Sequence, residues 1–252
     1  MVWQLGAWLD PVVYGDYPEE MKRVAGDRLG TFTDDDKKRL ENSVDYVGVD
    51  SYTTQLVAAK PGFEDGTCPE YEPSFGDGMA YDACLQGDLP CDDDRCGDLV
   101  DPEAGDAMSY FRRYPAGLLG VLSWMGRRYP RVPILVAESG VGLDGGSRGN
   151  ASSSGDKTID KNDQEKISHL AAYWADVHAG MRAGLYDLRG IFVWSFLDNL
   201  EWASGFGVHF GLVHVDHTRQ DLKRTPKRSA HWYGAVVQDR GFNATDATGG
   251  RG

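Results

Sequence analysis

The length, charge and hydropathy of the chain exclude several classes of protein. Its 252 residues are 41% hydrophobic, which indicates a globular protein with one core, and a complete (β/α)₈ barrel has roughly this length. The net charge of −13 argues against a nucleic-acid partner, because binding to phosphates needs clustered Lys and Arg. No apolar run approaches the roughly 18 residues of a membrane span, and the opening residues MVWQLGAWLD lack the pattern of a signal peptide.

The first 53 residues predict a loop or short helix, a second helix and a buried strand. Residues 3–18 mix aromatic residues with Pro and Gly, which indicates the loop or short helix. Thr33 is a candidate N-cap for a helix over residues 32–40, because three aspartates follow in the favourable first turn. The apolar residues 44–49 predict a buried strand that ends in Asp50, Ser51 and Tyr52.

Residues 59–107 predict an elaborated loop, since they are rich in Gly, Pro and Asp and show no periodicity. The loop contains all the cysteines of the chain, namely Cys68, Cys84, Cys91 and Cys96. We expect disulfides within the loop, with a zinc site as the alternative. The cysteines, with glycosylation triplets at Asn150 and Asn243, favour the secretory pathway, the extracellular space or the vacuole.

The second half of the chain alternates predicted helices with strands. Helices are predicted over residues 114–129, 163–182 and 227–238, strands over 134–138 and 191–195, and a hairpin around 210–216. Gly184 is a natural residue to follow the second of these helices. The predicted inward-facing stripe of the helix over residues 163–182 consists of Leu170, Tyr173, Trp174, Val177 and Met181.

Carboxylates and indoles follow two of the apolar runs. The run ILVAESG carries Glu138 at its end, and GIFVWSFLDNLEW carries Trp194, Glu201 and Trp202. Runs of this kind predict strands that are buried on both faces, as in a parallel sheet, and barrel enzymes place their catalytic groups where such strands end. A carboxylate beside a flat indole is suited to a sugar site, so the pattern predicts carbohydrate chemistry.

These residues resemble glycoside hydrolase family 1. ILVAESG is similar to the I-T-E-N-G nucleophile strand of that family. The stretch WSFLDNLEWASGFGVHFGLVHVD resembles its W-S-L-L-D-N-F-E-W…R-F-G-L-x-Y-V-D signature, and LKRTPKRSAHWYGAVV resembles its K-R-x-P-K-x-S-x-x-W-Y closing helix. The stretch DSYT resembles the end of the strand D-F-x-G-x-N-Y-Y-T, with Asp50 and Ser51 departing from it.

The resemblance assigns candidate roles to residues of this chain. It implies that Glu138 is the catalytic nucleophile, and that the Tyr52 hydroxyl orients it. It also implies that Trp194 stacks under the sugar, that Glu201 and Trp202 bind its hydroxyls, and that Phe210 lines the same subsite. From the residues alone, Glu138 could instead cap the following helix, and Tyr52 could simply pack. Asp198 and Asn199 are expected to hold the loop.

The resemblance implies an α/β fold that is a partial (β/α)₈ TIM barrel, roughly the last three βα units. Residues 1–240 would be the C-terminal part of one barrel domain, and residues 241–252 a flexible tail. The expected function is that of a β-glucosidase-like retaining hydrolase, acting on a β-glucoside or oligosaccharide with no metal or organic cofactor. The family's acid/base motif T-x-N-E-P is absent from the sequence, so activity of the chain alone is doubtful.

Alternatives to this function are a non-catalytic barrel fragment or carbohydrate-binding remnant, and a transglycosidase. The resemblance also implies an N-terminal barrel half as a partner, or self-association in its place, because three strands leave a sheet edge open.

Overall fold

The computed structural model describes residues 2–53, 58–59, 85–86, 98–99, 112–144 and 162–242. The predicted cysteine pairs, both glycosylation triplets and most of the loop over residues 59–107 lie outside these ranges. The chain divides into two compact units, one of residues 1–47 and 55–95, the other of residues 48–54 and 96–252. Among the described residues, no helix has the length and hydrophobicity that a bilayer crossing requires.

The first unit is mainly helical. Its described residues form a π-helical turn (Val2–Gly6), the helices α1 (Ala7–Tyr14), α2 (Glu19–Ala25) and α3 (Asp34–Leu40), and a 3₁₀ turn (Gly26–Arg28) between α2 and α3. They also include the short strand β2 (Ala58–Ala59), which pairs antiparallel with β3 (Leu85–Gln86). Thr33 caps α3 as predicted: its hydroxyl accepts from the Asp36 amide, and the Asp36 carboxylate accepts from the Thr33 amide. Gly15 ends α1 with φ of 82°, a conformation that suits glycine.

The second unit is built around a three-stranded sheet in the order β1-β6-β8. Its strands are β1 (Val47–Ser51), β6 (Ile134–Ser139) and β8 (Leu188–Val193), and β6 runs parallel to β8. The prediction of residues 191–195 for β8 was wrong at both ends. The last sheet bond runs from the Trp194 amide to the Ser139 carbonyl, and the Ser195 amide then turns to the Phe210 carbonyl.

Helices alternate with the strands of this unit along the chain. They are α4 (Pro115–Arg128), α5 (Gln164–Arg182) and α6 (Arg228–Asp239), so the chain alternates strand and helix as predicted. Helix α4 packs against α5. The buried apolar residues of these helices and of β6 include Leu118, Leu122, Met125, Ile134, Val136, Leu170 and Val177. Apolar burial of this kind is the main force that stabilises the unit.

The burial pattern corrects two expectations from the sequence. The strands are not buried on both faces: β6 alternates, with Val136 fully buried and Ala137 exposed, while Phe192 of β8 is 54% exposed. Met181 does not belong to the inward stripe of α5, because its side chain is 42% exposed. The inward position of that last turn is Gly180, which leaves room for the Tyr186 ring.

The other strands that the structure describes in the second unit form short pairs. They are β4 (Asp98–Leu99) with β5 (Arg112–Arg113), β7 (Leu143–Asp144) with β9 (Val208–His209), and β10 (Val213–Val215) with β11 (Arg224–Pro226), all antiparallel. The predicted hairpin around residues 210–216 was wrong in its bounds, because that segment holds only the first strand of the pair and the second strand is residues 224–226. A 3₁₀ turn, Trp202–Ser204, lies between β8 and β9.

Candidate active site

Glu138 and Tyr52 meet where β6 and β1 end. Glu138 is the fifth residue of β6, and Tyr52 directly follows β1. The Tyr52 hydroxyl donates a hydrogen bond of 2.5 Å to the Glu138 Oε2 atom, across 86 residues of sequence. Burial raises the pKa of Tyr52 well above its usual range, and the hydrogen bond to Glu138 raises it further. Tyr52 therefore remains a neutral phenol that donates to the carboxylate.

Two further carboxylates act on this pair electrostatically. The charges of Asp50 and Glu201 both contribute to the raised pKa of Tyr52. Partial burial raises the pKa of Asp50 itself, and the charge of Glu138 adds to that effect. The site is therefore rich in carboxylates, and a ligand with hydroxyl groups could donate hydrogen bonds to them.

Trp194 and Glu201 form a second pair in the loop that follows β8. The Trp194 indole donates a hydrogen bond of 3.2 Å to the Glu201 Oε1 atom. Trp194 and Tyr52 both pack against a buried apolar cluster of Val141, Val208 and Phe210. The Tyr52 ring meets the Phe210 ring edge to face, with centroids 5.8 Å apart. This cluster therefore brings the Tyr52–Glu138 and Trp194–Glu201 pairs together.

Of the six residues singled out from the sequence, five lie in this arrangement, namely Tyr52, Glu138, Trp194, Glu201 and Phe210. Trp202 differs, because its side chain is 92% exposed in the 3₁₀ turn that follows Glu201. The catalytic and binding roles of all six residues stay predictions.

The buried side chain of Asp198 holds the loop between Trp194 and Phe210 in place through several hydrogen bonds. Its Oδ1 atom accepts from the Gly211 amide and from the Lys227 ammonium, both at 2.8 Å. Its Oδ2 atom lies 3.1 Å from His209 Nδ1 and 2.9 Å from His214 Nδ1. Burial opposes ionisation of Asp198, but these partners outweigh it and hold its pKa well below the usual range. Asp198 therefore fixes the loop, as the sequence led us to expect.

Lys166 of α5 holds the same region from the helix side. Its buried ammonium donates to the carbonyl oxygens of His209, Phe210 and Gly211 at 2.8–3.2 Å. Burial and the charge of Lys227 lower the pKa of Lys166 to about 7. These bonds fix the backbone of Phe210, whose side chain belongs to the apolar cluster.

The sequence analysis missed Lys166, His209, His214 and Lys227 as parts of the site. A signal for Lys166 was present, because this lysine interrupts the apolar face of a helix one turn before Leu170. His209 and His214 also depart from the signature, which has Arg and Tyr at those positions. Among the described residues, the possible metal-binding group is Asp198 with these two histidines.

Comparison with known proteins identifies the family. The model of "Glycosyl hydrolase family 1" matches residues 1–242. Beta-glucosidase 4 of Oryza sativa subsp. japonica is 33% identical over 235 residues, which are 93% of this chain and 44% of that protein. The chain thus spans less than half the length of this relative.

Solved structures agree with this match. A β-glucosidase of this family from the fungus Humicola insolens, in complex with glucose, aligns with a TM-score of 0.74 and 26% identity, over 94% of this chain and 45% of that one. A rice β-glucosidase mutant, Os3BGlu6 in a covalent complex with Glc, aligns with a TM-score of 0.72 and 27% identity, over 93% and 45%. These matches confirm the predicted fold, part of a (β/α)₈ TIM barrel. The chain therefore belongs to glycosyl hydrolase family 1.

Proposed function

We propose that this chain supplies the nucleophile and the sugar-binding residues of a retaining β-glucosidase. In this mechanism the Glu138 carboxylate attacks the anomeric carbon, the bond from that carbon to the leaving-group oxygen breaks, and the covalent glycosyl-enzyme that forms is then hydrolysed by water. The observation that carries the proposal is the hydrogen bond between Tyr52 and Glu138 at the ends of neighbouring strands. A hydrogen bond to a carboxylate fixes its direction, which a nucleophile needs.

The pair of Trp194 and Glu201 supports a sugar as the substrate. An indole offers a flat apolar surface to the C–H face of a sugar ring, while a carboxylate accepts hydrogen bonds from hydroxyl groups. The hydrogen bond between the two side chains holds the acceptor beside the stacking surface. We assign Phe210 to the wall of the same subsite, and Trp202 to its solvent side, where it would close over a bound sugar.

We further propose that this chain lacks the proton donor of the mechanism. A retaining enzyme needs a second carboxyl group that protonates the leaving group and later activates water. The T-x-N-E-P motif is absent from the sequence, and Glu201 is engaged by Trp194. We therefore propose that the chain alone forms a glycosyl-enzyme only from activated glucosides. Sugar binding without turnover is the second candidate, which the absent motif favours.

An activated 2-fluoro glucoside with a good leaving group tests the nucleophile directly, because such a substrate needs little protonation. We expect intact mass spectrometry to show one added glycosyl group on the 252-residue chain, and peptide mapping to place it on Glu138. The Glu138→Gln variant should stay unlabelled, while the exposed control Glu41→Gln should label as the wild type does. A label on another residue, or none, would contradict the assignment of Glu138.

Turnover of an unmodified aryl glucoside tests the missing donor. General acid–base catalysis typically contributes ~10²–10⁴-fold, so we expect hydrolysis slower than that of complete family members by at least this factor. Hydrolysis at ordinary rates by the chain alone, lost in Glu138→Gln, would show that an acid/base exists within these 252 residues.

A further inference from the structure

We propose that Asp198, His209 and His214 form a binding site for Zn²⁺, separate from the carboxylates of the candidate active site. The His209 and His214 Nδ1 atoms lie 3.1 and 2.9 Å from the Asp198 Oδ2 atom, and the possible ligand atoms all lie within 4.8 Å of one another. Ligands at about 2.1 Å from a tetrahedral zinc ion are about 3.4 Å apart. Both nitrogen–oxygen distances are within about half an ångström of this spacing, and the widest separation in the group would have to close by at most about 1.4 Å for the three atoms to surround one ion.

The ligands are held in position by a surrounding layer of hydrogen bonds. The Gly211 amide and the Lys227 ammonium occupy the Asp198 Oδ1 atom, so that the Oδ2 atom faces the two imidazoles. Lys166 fixes the backbone carbonyl of His209. Hydrogen-bonded ligands of this kind are typical of metal sites, where the outer partners orient the inner ones. Gly211 must be glycine here, because a Cβ atom would lie 2.2 Å from the Asp198 amide nitrogen.

The chemistry of the ligands selects the cation. Two imidazoles with one carboxylate suit Zn²⁺ and its neighbours in the first transition series, whereas Ca²⁺ and Mg²⁺ prefer oxygen ligands. The Asp198 side chain is 1% exposed, and those of His209 and His214 are 11% and 12% exposed. The site is therefore largely dry, and an ion would enter from the histidine side.

The charge of Lys227 limits the strength of binding, because this ammonium shares the Asp198 carboxylate with the metal. We therefore expect a reversible site that EDTA empties. A bound ion would join the loop after β8 to β9 and β10. It would thereby reinforce the segment that carries Trp194 and Phe210, whatever reaction the site catalyses.

Cobalt serves as the spectroscopic probe for this site. We expect Co²⁺ added to the untagged, EDTA-treated chain to give the visible absorption of a tetrahedral ion at one equivalent, and Zn²⁺ to abolish it. In His209→Asn and His214→Asn the amide can still donate to Asp198 while the imidazole ligand is lost. Each variant should bind Co²⁺ at least ~10- to 100-fold less tightly than the wild type.

His231→Asn is the matched control, because His231 is exposed on α6. Its Co²⁺ affinity should stay within about twofold of the wild type, as a remote histidine contributes no ligand. A thermal-shift measurement provides a second readout: Zn²⁺ should raise the unfolding temperature of the wild type and of the control, but not of the two ligand variants. The absence of tetrahedral absorption, or equal Co²⁺ binding by all four proteins, would overturn the proposal.

Discussion

Asp198→Ala is the substitution that tests the buried network most directly. Asp198 accepts hydrogen bonds from Gly211 and Lys227 and lies beside two histidines, and its side chain is 1% exposed. The Lys227 side chain is 2% exposed. Removal of the carboxylate leaves this ammonium buried without its partner, since alanine offers no acceptor.

The expected cost follows from that unpaired charge. Breaking a buried ion pair by removing one partner destabilises a protein by about 3–5 kcal/mol. For a chain of this length, 1 kcal/mol corresponds to roughly 2–4 °C in the unfolding temperature. We therefore expect Asp198→Ala to lower the unfolding temperature by about 6–20 °C.

Urea unfolding followed by tryptophan fluorescence, in the presence of EDTA, measures this loss of free energy. The control Asp221→Ala makes the same chemical change at an exposed ion pair with Arg219, and should alter stability by less than about 0.5 kcal/mol.

The double mutant Asp198→Ala/Lys227→Met leaves no buried ammonium at residue 227. It should be more stable, by about 1–3 kcal/mol, than the sum of the two single changes implies. An Asp198→Ala protein as stable as the control, or single changes that add to within about 0.5 kcal/mol, would refute the reasoning.

Two further predictions concern Tyr52 and acid. Tyr52→Phe removes the hydrogen bond to Glu138. Because hydrogen bonds to charged groups contribute about 1.5–3 kcal/mol, the rate at which a 2-fluoro glucoside labels Glu138 should fall roughly 10- to 100-fold. Unchanged labelling of a folded variant would rule out the orienting role. The pKa of Asp198 is lower in the folded state than in the unfolded state, where it is about 3.9. The ionised Asp198 therefore stabilises the fold fully at pH values above the unfolded-state pKa, and this stabilisation is lost as pH falls through the folded-state pKa. Between about pH 5 and pH 2, the urea midpoint of the wild type should therefore fall more steeply than that of Asp198→Asn, and parallel curves would contradict this.

Local sequence patterns were sufficient to predict the main alternation of helices and strands and the main candidates for the site. Thr33 with Asp36 marks the start of α3 through contacts three residues apart, so a local pattern was sufficient to find it. Glu138 and Trp194 could likewise be located, because each follows an apolar run that ends at polar residues. The family signature in the last third of the chain was also readable, and it supplied the partial barrel.

The contacts between residues that are distant in sequence depend on the tertiary structure. Tyr52 contacts Glu138 because β1 and β6 are neighbours in the sheet, although 86 residues separate the two side chains. The end of β8 depends on the Phe210 carbonyl, which draws the Ser195 amide away from the sheet. In the last turn of α5 the buried position is Gly180, where a side chain would collide with the Tyr186 hydroxyl, and Met181 is exposed.

The buried hydrogen-bond network around Asp198 and Lys166 is the clearest case of contacts that local sequence could not predict. Lysine and histidine are ordinarily surface residues, so nothing local to Lys166, His209 or His214 predicts their burial. Their burial is stable only because Asp198, Lys227 and three backbone carbonyls converge on them from separate elements. Charges and hydrogen-bonding groups can leave water only where such partners compensate for their lost hydration. Here the partners come together because α5 packs against residues 209–211, which are distant from it in sequence.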